Sequence, residues 1–205
     1  MARPANTAVR REQIADAFID ELAASGYDGA TIARIASRAG LAAGLVHYHF
    51  TSKEEILLLA VERLEQRLIA RLPGEGGAPR ARLTGAIDAL LAAKPADTVA
   101  VRSWVVVGAE ALRKPEVAEI YDAAVGRVRG RIAGFVKAVL VHEKREQRAA
   151  EAIVTVVLCA AHGAWELGTA TSQIPRGTAA TALNSAVEAW IDATPRAVVR
   201  PSRRR

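Results

Sequence analysis

Few stretches of this 205-residue chain carry residues at spacings that could do chemistry. Cys159 and His162 stand at i, i+3, where a helix would place a thiol beside an imidazole. In so apolar a stretch the simpler expectation is a small buried thiol and a satisfied histidine. His47 and His49 lie close together, but no third ligand falls at usable spacing, so no metal site is expected. His142–Glu143 lacks the second histidine of a zinc-protease helix. There is no Glu-x-x-His pair for a di-metal bundle and no G-x-S-x-G elbow. Gly74 and Gly76 follow no strand, and the third glycine of a phosphate-binding loop is misplaced. The expectation is a non-enzyme with no catalytic residue, metal or cofactor.

The chemistry that remains is recognition. Thr31 to Glu55 reads TIARIASRAGLAAGLVHYHFTSKEE. Two short helical patterns flank Ala39-Gly40-Leu41, and another helix opens just after Phe50. This is the pattern of a helix-turn-helix, which lays one helix in the major groove of DNA. Thr31 is a natural N-cap, Gly40 supplies a turn with positive φ, and Thr51–Glu54 and Ser52–Glu55 both fit a capping box.

These residues need elements to hold them. Residues 1–8 look like a loose arm. Val9, Ile14, Ala17, Phe18 and Leu22 then form a helical stripe that ends at Gly26 and Gly29. Ile56, Leu57, Ala60, Val61, Leu64 and Leu68 give a long apolar stripe after the capping box. Pro73 to Pro79 is the clearest break. Beyond it, helical patterns cover 80–93, 97–113, 115–142, 146–171 and 177–193. With no alternating strand pattern and no repeat, the expected fold is all-α with about nine helices. It divides into a helix-turn-helix domain over 1–55, a ligand-binding and dimerisation bundle over 56–195, and a basic tail over 196–205.

The run from Thr31 to Leu57 resembles the N-terminal domain of the tetracycline-repressor (TetR) family. The resemblance rests on Thr31, Ile35-Ala36, Ala39-Gly40, Gly44, the aromatic and histidine run ending at Phe50, and Ser52-Lys53-Glu54-Glu55. It covers roughly residues 9–60; the second half is similar only in helix count and in its apolar last two helices. The resemblance implies that Thr31 touches a phosphate and that Ala42, Ala43, Gly44 and Leu45 form the groove-facing start of the recognition helix. His47 stands where the family usually has a phosphate-binding tyrosine. Tyr48 and His49 also face DNA by this correspondence, and Lys53 meets a phosphate at the start of the next helix. Ala42 and Ala43 offer no hydrogen bond to a base edge. Sequence preference then leans on Tyr48, His49, thymine methyl contacts and DNA shape.

The second half holds the makings of a small-molecule pocket between helices. Trp104, Glu110, Tyr121, His162, Trp165 and Glu166 are the candidate lining residues. If Glu110 or Glu166 points inward, a cationic ligand against tryptophan becomes reasonable. Gly126, Gly130 and Gly134 strip one helix face of side chains, either for a close helix crossing, the favoured reason, or for ligand space. The last two helices are apolar on more than one face, so Ile153, Val157, Ala160, Ala164, Leu183, Val187, Trp190 and Ile191 are expected at a two-fold interface.

Composition agrees. Hydrophobic residues make up 51% of the chain, and the net charge is +6, to which the tail residues Arg200, Arg203, Arg204 and Arg205 contribute four. The lone Cys159 fits a reducing compartment. MARPANTAVRREQ has no apolar signal core, and the apolar run 152–161 is too short for a bilayer, so no membrane partner and a cytoplasmic location are expected. The expected function is a homodimeric regulator that binds a palindromic operator in double-stranded DNA and is released by a small-molecule effector. A ligand-responsive activator, or a small-molecule-binding bundle with a vestigial head, are the alternatives.

Overall fold

The computed structural model describes residues 4–91, 98–175 and 177–197. Among them are nine helices and no strand: α1 (Pro4–Gly29), α2 (Ile32–Ala39), α3 (Ala43–His49), α4 (Lys53–Ile69), α5 (Pro79–Leu91), α6 (Thr98–Ala111), α7 (Pro115–His142), α8 (Ala149–Ala170) and α9 (Thr178–Ala193). The helix boundaries follow local chemistry. Thr31 caps α2 by accepting from the Arg34 amide at 3.4 Å. Gly40 ends it in the left-handed region at φ 66, which lets the Leu41 amide close onto the Ala36 carbonyl at 2.9 Å. Of the two overlapping capping boxes, Ser52 provides the cap of α4, accepting from the Glu55 amide at 3.2 Å. Glu55 then reaches one residue further back, to the Thr51 amide at 2.8 Å. Pro115 opens α7 at its first turn, where a missing amide costs nothing.

Residues 4–8 belong to α1 rather than to a loose arm; residues 1–3 lie outside the described residues. Gly26, at φ 73, kinks α1 one turn before its end. Arg200, Arg203, Arg204 and Arg205 of the basic tail also lie outside the described residues. The tail's start is docked: the Ala197 amide donates to the Lys144 carbonyl at 2.8 Å.

Two apolar clusters form the core. The first packs α1 to α4 against Trp104, Val107, Val117 and Ala124 of α6 and α7. The second gathers Leu68 with α5, the later part of α7, α8 and α9. Trp165 touches both. The head's core therefore does not stop at residue 55: Ile56, Leu57, Ala60, Val61 and Leu64 of α4 belong to it. Each fully buried large side chain here, such as Phe18 or Leu57, contributes about 1.5–3 kcal/mol of transfer free energy.

Two expectations about faces are corrected. Gly126, Gly130 and Gly134 are exposed, and a Cβ built on any of them meets nothing within 4 Å. Neither a crossing helix nor a ligand space explains that stripe within the protomer. Ile153, Val157, Leu183, Val187 and Ile191 are 0%, 0%, 7%, 2% and 1% exposed in the protomer's own core, so they are not free for a partner. The helix α8 is also longer than its uninterrupted apolar run: its 22 residues suffice by length and composition to cross a membrane, and only 22% of its most apolar window is buried. The exposed apolar residues form a separate stripe: Ala152, Val156 and Leu167 on α8, and Ala182, Ala186, Ala189, Trp190 and Ala193 on α9.

Candidate nucleic-acid interface and ligand cavity

The recognition helix α3 buries only Val46 and is anchored by its ends. At its start Ala42 sits in extended geometry and gives no side-chain cap. Ala42, Ala43 and Gly44 are exposed, and Leu45 is half-buried. His47 is exposed, Tyr48 is 73% exposed, and the half-buried His49 ring meets Tyr48 edge-on with centroids 5.1 Å apart. The outward surface of α3 is thus bare at its first turn and aromatic at its last. Thr31 is exposed one helix away.

Arg11 of α1 holds the far end of α3. Its guanidinium donates to the His49 carbonyl, pairs with Glu55 at 2.8 Å and lies 4.1 Å over the Phe50 ring. Glu21, almost fully buried, grips α2 through Arg34 at 2.8 Å and Arg38 at 2.6 Å. Those guanidiniums, Arg34 first, hold the Glu21 carboxyl below the usual range against the opposing effect of burial. The Gln13 amide completes the frame by donating to the Ala39 carbonyl at 2.6 Å. Sequence reasoning missed these struts because each partner lies many residues away, where periodicity carries no signal.

Lys53 is corrected. Its ammonium is half-buried, donates to the Tyr27 carbonyl and lies 4.1 Å from the Tyr27 ring centroid, turned inward rather than toward a phosphate. Desolvation lowers its pKa. Lys114 approaches the same ring at 4.3 Å and ties Asp28 and Glu110 together, each at 3.0 Å. The Tyr27 hydroxyl donates to Glu54 at 2.9 Å. This cluster joins the head to the α6–α7 turn.

The bundle contains a cavity of about 520 Å³ between α4, α5, α6, α7 and α8. Trp104, Tyr121, His162 and Trp165 line it, with Leu68, Leu90, Val125, Val128, Leu158, Cys159, Ala161 and Gly163 in the same wall. Glu110 and Glu166 do not: Glu110 is buried against Lys114, and Glu166 faces solvent. Cys159 and His162 are exposed at the cavity rather than packed away, because none of the described residues covers that face of α8. The Tyr121 hydroxyl lies 3.4 Å from His162 Nδ1. Leu68, at the last turn of α4, lines the cavity, while Ser52 caps the other end of α4 next to α3. Seventeen residues at 1.5 Å rise make that helix about 25 Å long, so one rigid element touches both regions.

Comparison with known proteins places this geometry. Residues 14–60 match the model of bacterial regulatory proteins of the tetR family, and residues 79–196 match that of the C-terminal region of BetI-type transcriptional repressors. The HTH-type transcriptional regulator BetI of Stenotrophomonas maltophilia (strain R551-3) is 31% identical over 119 residues, 56% of this chain and 61% of that relative. The chain thus spans about three-fifths of that relative's length. BetI of Paraburkholderia phytofirmans is 26% identical over 63% of this chain and 69% of its own. Among solved structures, a transcriptional regulator from Rhodococcus sp. Rha1 superposes with a TM-score of 0.76 at 27% identity, covering 93% of this chain and 99% of that one. A Saccharomonospora viridis regulator crystallised with choline shares the fold, with a TM-score of 0.71 at 23% identity over 92% and 100% of the two chains. From the matched head through the matched bundle, this chain belongs to the tetR family of bacterial regulatory proteins.

Proposed function

We propose that the protein is a homodimeric transcriptional repressor of the cytoplasm that grips a palindromic operator and is released by a small molecule bound in the bundle cavity. The observation that carries this reading is α4: its first turn follows the recognition helix after three residues and is tied to it through Arg11, which holds both the His49 carbonyl and Glu55, and its last turn forms part of the cavity wall. A ligand that favours one position of α4 over another shifts the spacing of two heads that must sit about 34–36 Å apart to enter successive major grooves. Its leverage equals its differential affinity for the two states, typically ~1–3 kcal/mol.

The surface that joins two copies is the outward stripe of α8 and α9, from Val156 and Leu167 to Ala186, Ala189 and Trp190. Val156, Ala160, Gly163 and Leu167 on α8, and Ala182, Ala186, Ala189 and Ala193 on α9, recur at i, i+4, i+7 and i+11, which suits a four-helix contact across a two-fold axis. Of the residues expected there from sequence, Ala160, Ala164 and Trp190 keep some exposure.

On the DNA side, Thr31 and His47 contact phosphates, while the short side chains of Ala42, Ala43 and Gly44 let the backbone of α3 approach the groove floor. Tyr48 and His49 then read bases one turn later. Selection of duplexes from a random pool tests this. An inverted repeat should emerge, and its affinity should fall linearly in log–log with salt. Failure to enrich any duplex, or a flat salt response, would overturn it.

A further inference from the structure

We infer that the cavity takes an uncharged, largely apolar molecule bearing one hydroxyl or carbonyl oxygen, anchored by Tyr121 and His162, for which Gly108 makes room. This rests on reading the cavity as the effector site. Among the described residues, the wall contains no Asp, Glu, Lys or Arg. The nearby acids are accounted for: Glu110 is held 3.0 Å from Lys114, and Glu166 faces solvent. A cationic ligand would enter without a counter-charge, at the full cost of desolvating its own.

Trp104, the most buried of the aromatic residues, does not supply the missing attraction. Trp104 and Trp165 stack with centroids 6.4 Å apart, and Tyr121 meets Trp104 edge-on at 6.0 Å. Trp104 is 5% exposed, so its faces are spent on the other rings rather than open to a cation. The indole amine of Trp165 is already donated to the Leu90 carbonyl at 2.9 Å.

Among the described lining residues, the polar side-chain atoms left for a ligand are the Tyr121 hydroxyl, the His162 ring and the Cys159 thiol, of which the thiol is the weak partner. At 3.4 Å the hydroxyl and the ring satisfy each other poorly, and each keeps capacity for a ligand oxygen. Burial holds the Tyr121 phenol above its ordinary pKa, so it is a neutral donor. Gly108 marks the pair as placed rather than incidental. A Cβ at this position of α6 would sit 3.1 Å from the Tyr121 hydroxyl oxygen, tight enough that the phenol must give by a few tenths of an ångström, and in ordinary contact with His162 Cε1 at 3.5 Å. A glycine inside a helix is unfavourable, and here it is the close approach that uses it.

The test uses the full chain without DNA. The fluorescent apolar amine 1-aminoanthracene, uncharged at neutral pH, should brighten on binding. It should be displaced by 2-naphthol and not by choline chloride, a quaternary ammonium of permanent charge. Tyr121→Phe should weaken 2-naphthol by about threefold to tenfold, the worth of one hydrogen bond, and leave naphthalene unchanged. Gly108→Ala should act in the same direction. Displacement by choline at lower concentration than 2-naphthol would overturn the inference, as would an equal loss, or no loss, of both naphthalene and 2-naphthol in Tyr121→Phe. Val125→Trp, which fills the cavity, should abolish the dye signal; an unchanged signal would place the dye elsewhere and also count against it. Because no DNA is present, these results stand whether or not the protein represses transcription. Tight 2-naphthol binding without operator release would refute only the effector role.

Discussion

Glu55 joins three segments of the head through hydrogen bonds to the Thr51 amide and hydroxyl and an ion pair with Arg11. The Thr51 amide, then Arg11, hold its carboxyl down to about 2, from an ordinary 4.5. A depressed carboxyl contributes stability that is whole above its unfolded value and is lost as pH falls through the folded one. Glu55→Gln should therefore lower the melting temperature at neutral pH. The difference from the parent should narrow below pH 4.5 and close near pH 2, as thermal melts across that window will show. The residues that face outward behave differently. His47→Ala should weaken DNA binding across all sequences with little change in stability, whereas Thr31→Val should weaken it and also lower the melting temperature, because it removes the cap of α2. Lys53→Ala should do the reverse of His47→Ala, because its ammonium is engaged with Tyr27: the head loses stability first, seen in a lower melting temperature. Paired melts and DNA titrations separate these patterns.

At the scale of elements, α4 and the α8–α9 pair carry the design. Leu57 of α4 is fully buried in the head's core, so Leu57→Ala should cost ~2–5 kcal/mol in chemical denaturation. The outer stripe of α8 and α9 should respond to charge instead. Val156→Arg combined with Ala186→Arg, both at exposed positions, should leave the protomer folded but shift its mass in solution from two chains to one. Light scattering after gel filtration reads this directly. A dimer that survives both arginines would move the interface elsewhere, the bare glycine stripe of α7 being another uncovered face among the described residues.

For the whole molecule the question is how a cavity speaks to a DNA surface. Two connections are visible. One is α4 itself, with Leu68 in the cavity wall. The other runs from Trp104 and Gly108 on α6 to its last turn, where Glu110 and Lys114 meet Asp28 and the Tyr27 ring. Lys114 links that cluster to the α6–α7 turn through both Asp28 and Glu110, and Asp28 followed by Glu110 raises its pKa. Lys114→Ala should leave affinity for a cavity ligand near the parent's while reducing the fold-change in operator affinity that the ligand produces. Binding curves taken with and without operator DNA measure this, since linkage requires the same factor in both directions.

The helices, their caps and the helix-turn-helix were legible from the chain alone, because Thr31, Gly40, Ser52 and Pro115 act on their own neighbours. The aromatic members of the cavity were legible by type. Direction was not. Ile153 and Val156 are neighbours on one apolar helix, yet one is fully buried and the other 41% exposed, and periodicity cannot say which face of an all-round apolar helix meets its own chain. Lys53 and Glu110 were misplaced for the same reason: their partners, Tyr27 for one and Lys114 bridging to Asp28 for the other, are brought near only by packing α1 against α4 and α6. Local hydrogen bonds and caps belong to the sequence, since they span a few residues. Which side of each helix is spent on the core, and which is left for DNA, effector or a second copy, was decided only when the tertiary structure buried one face of each helix and left the other uncovered.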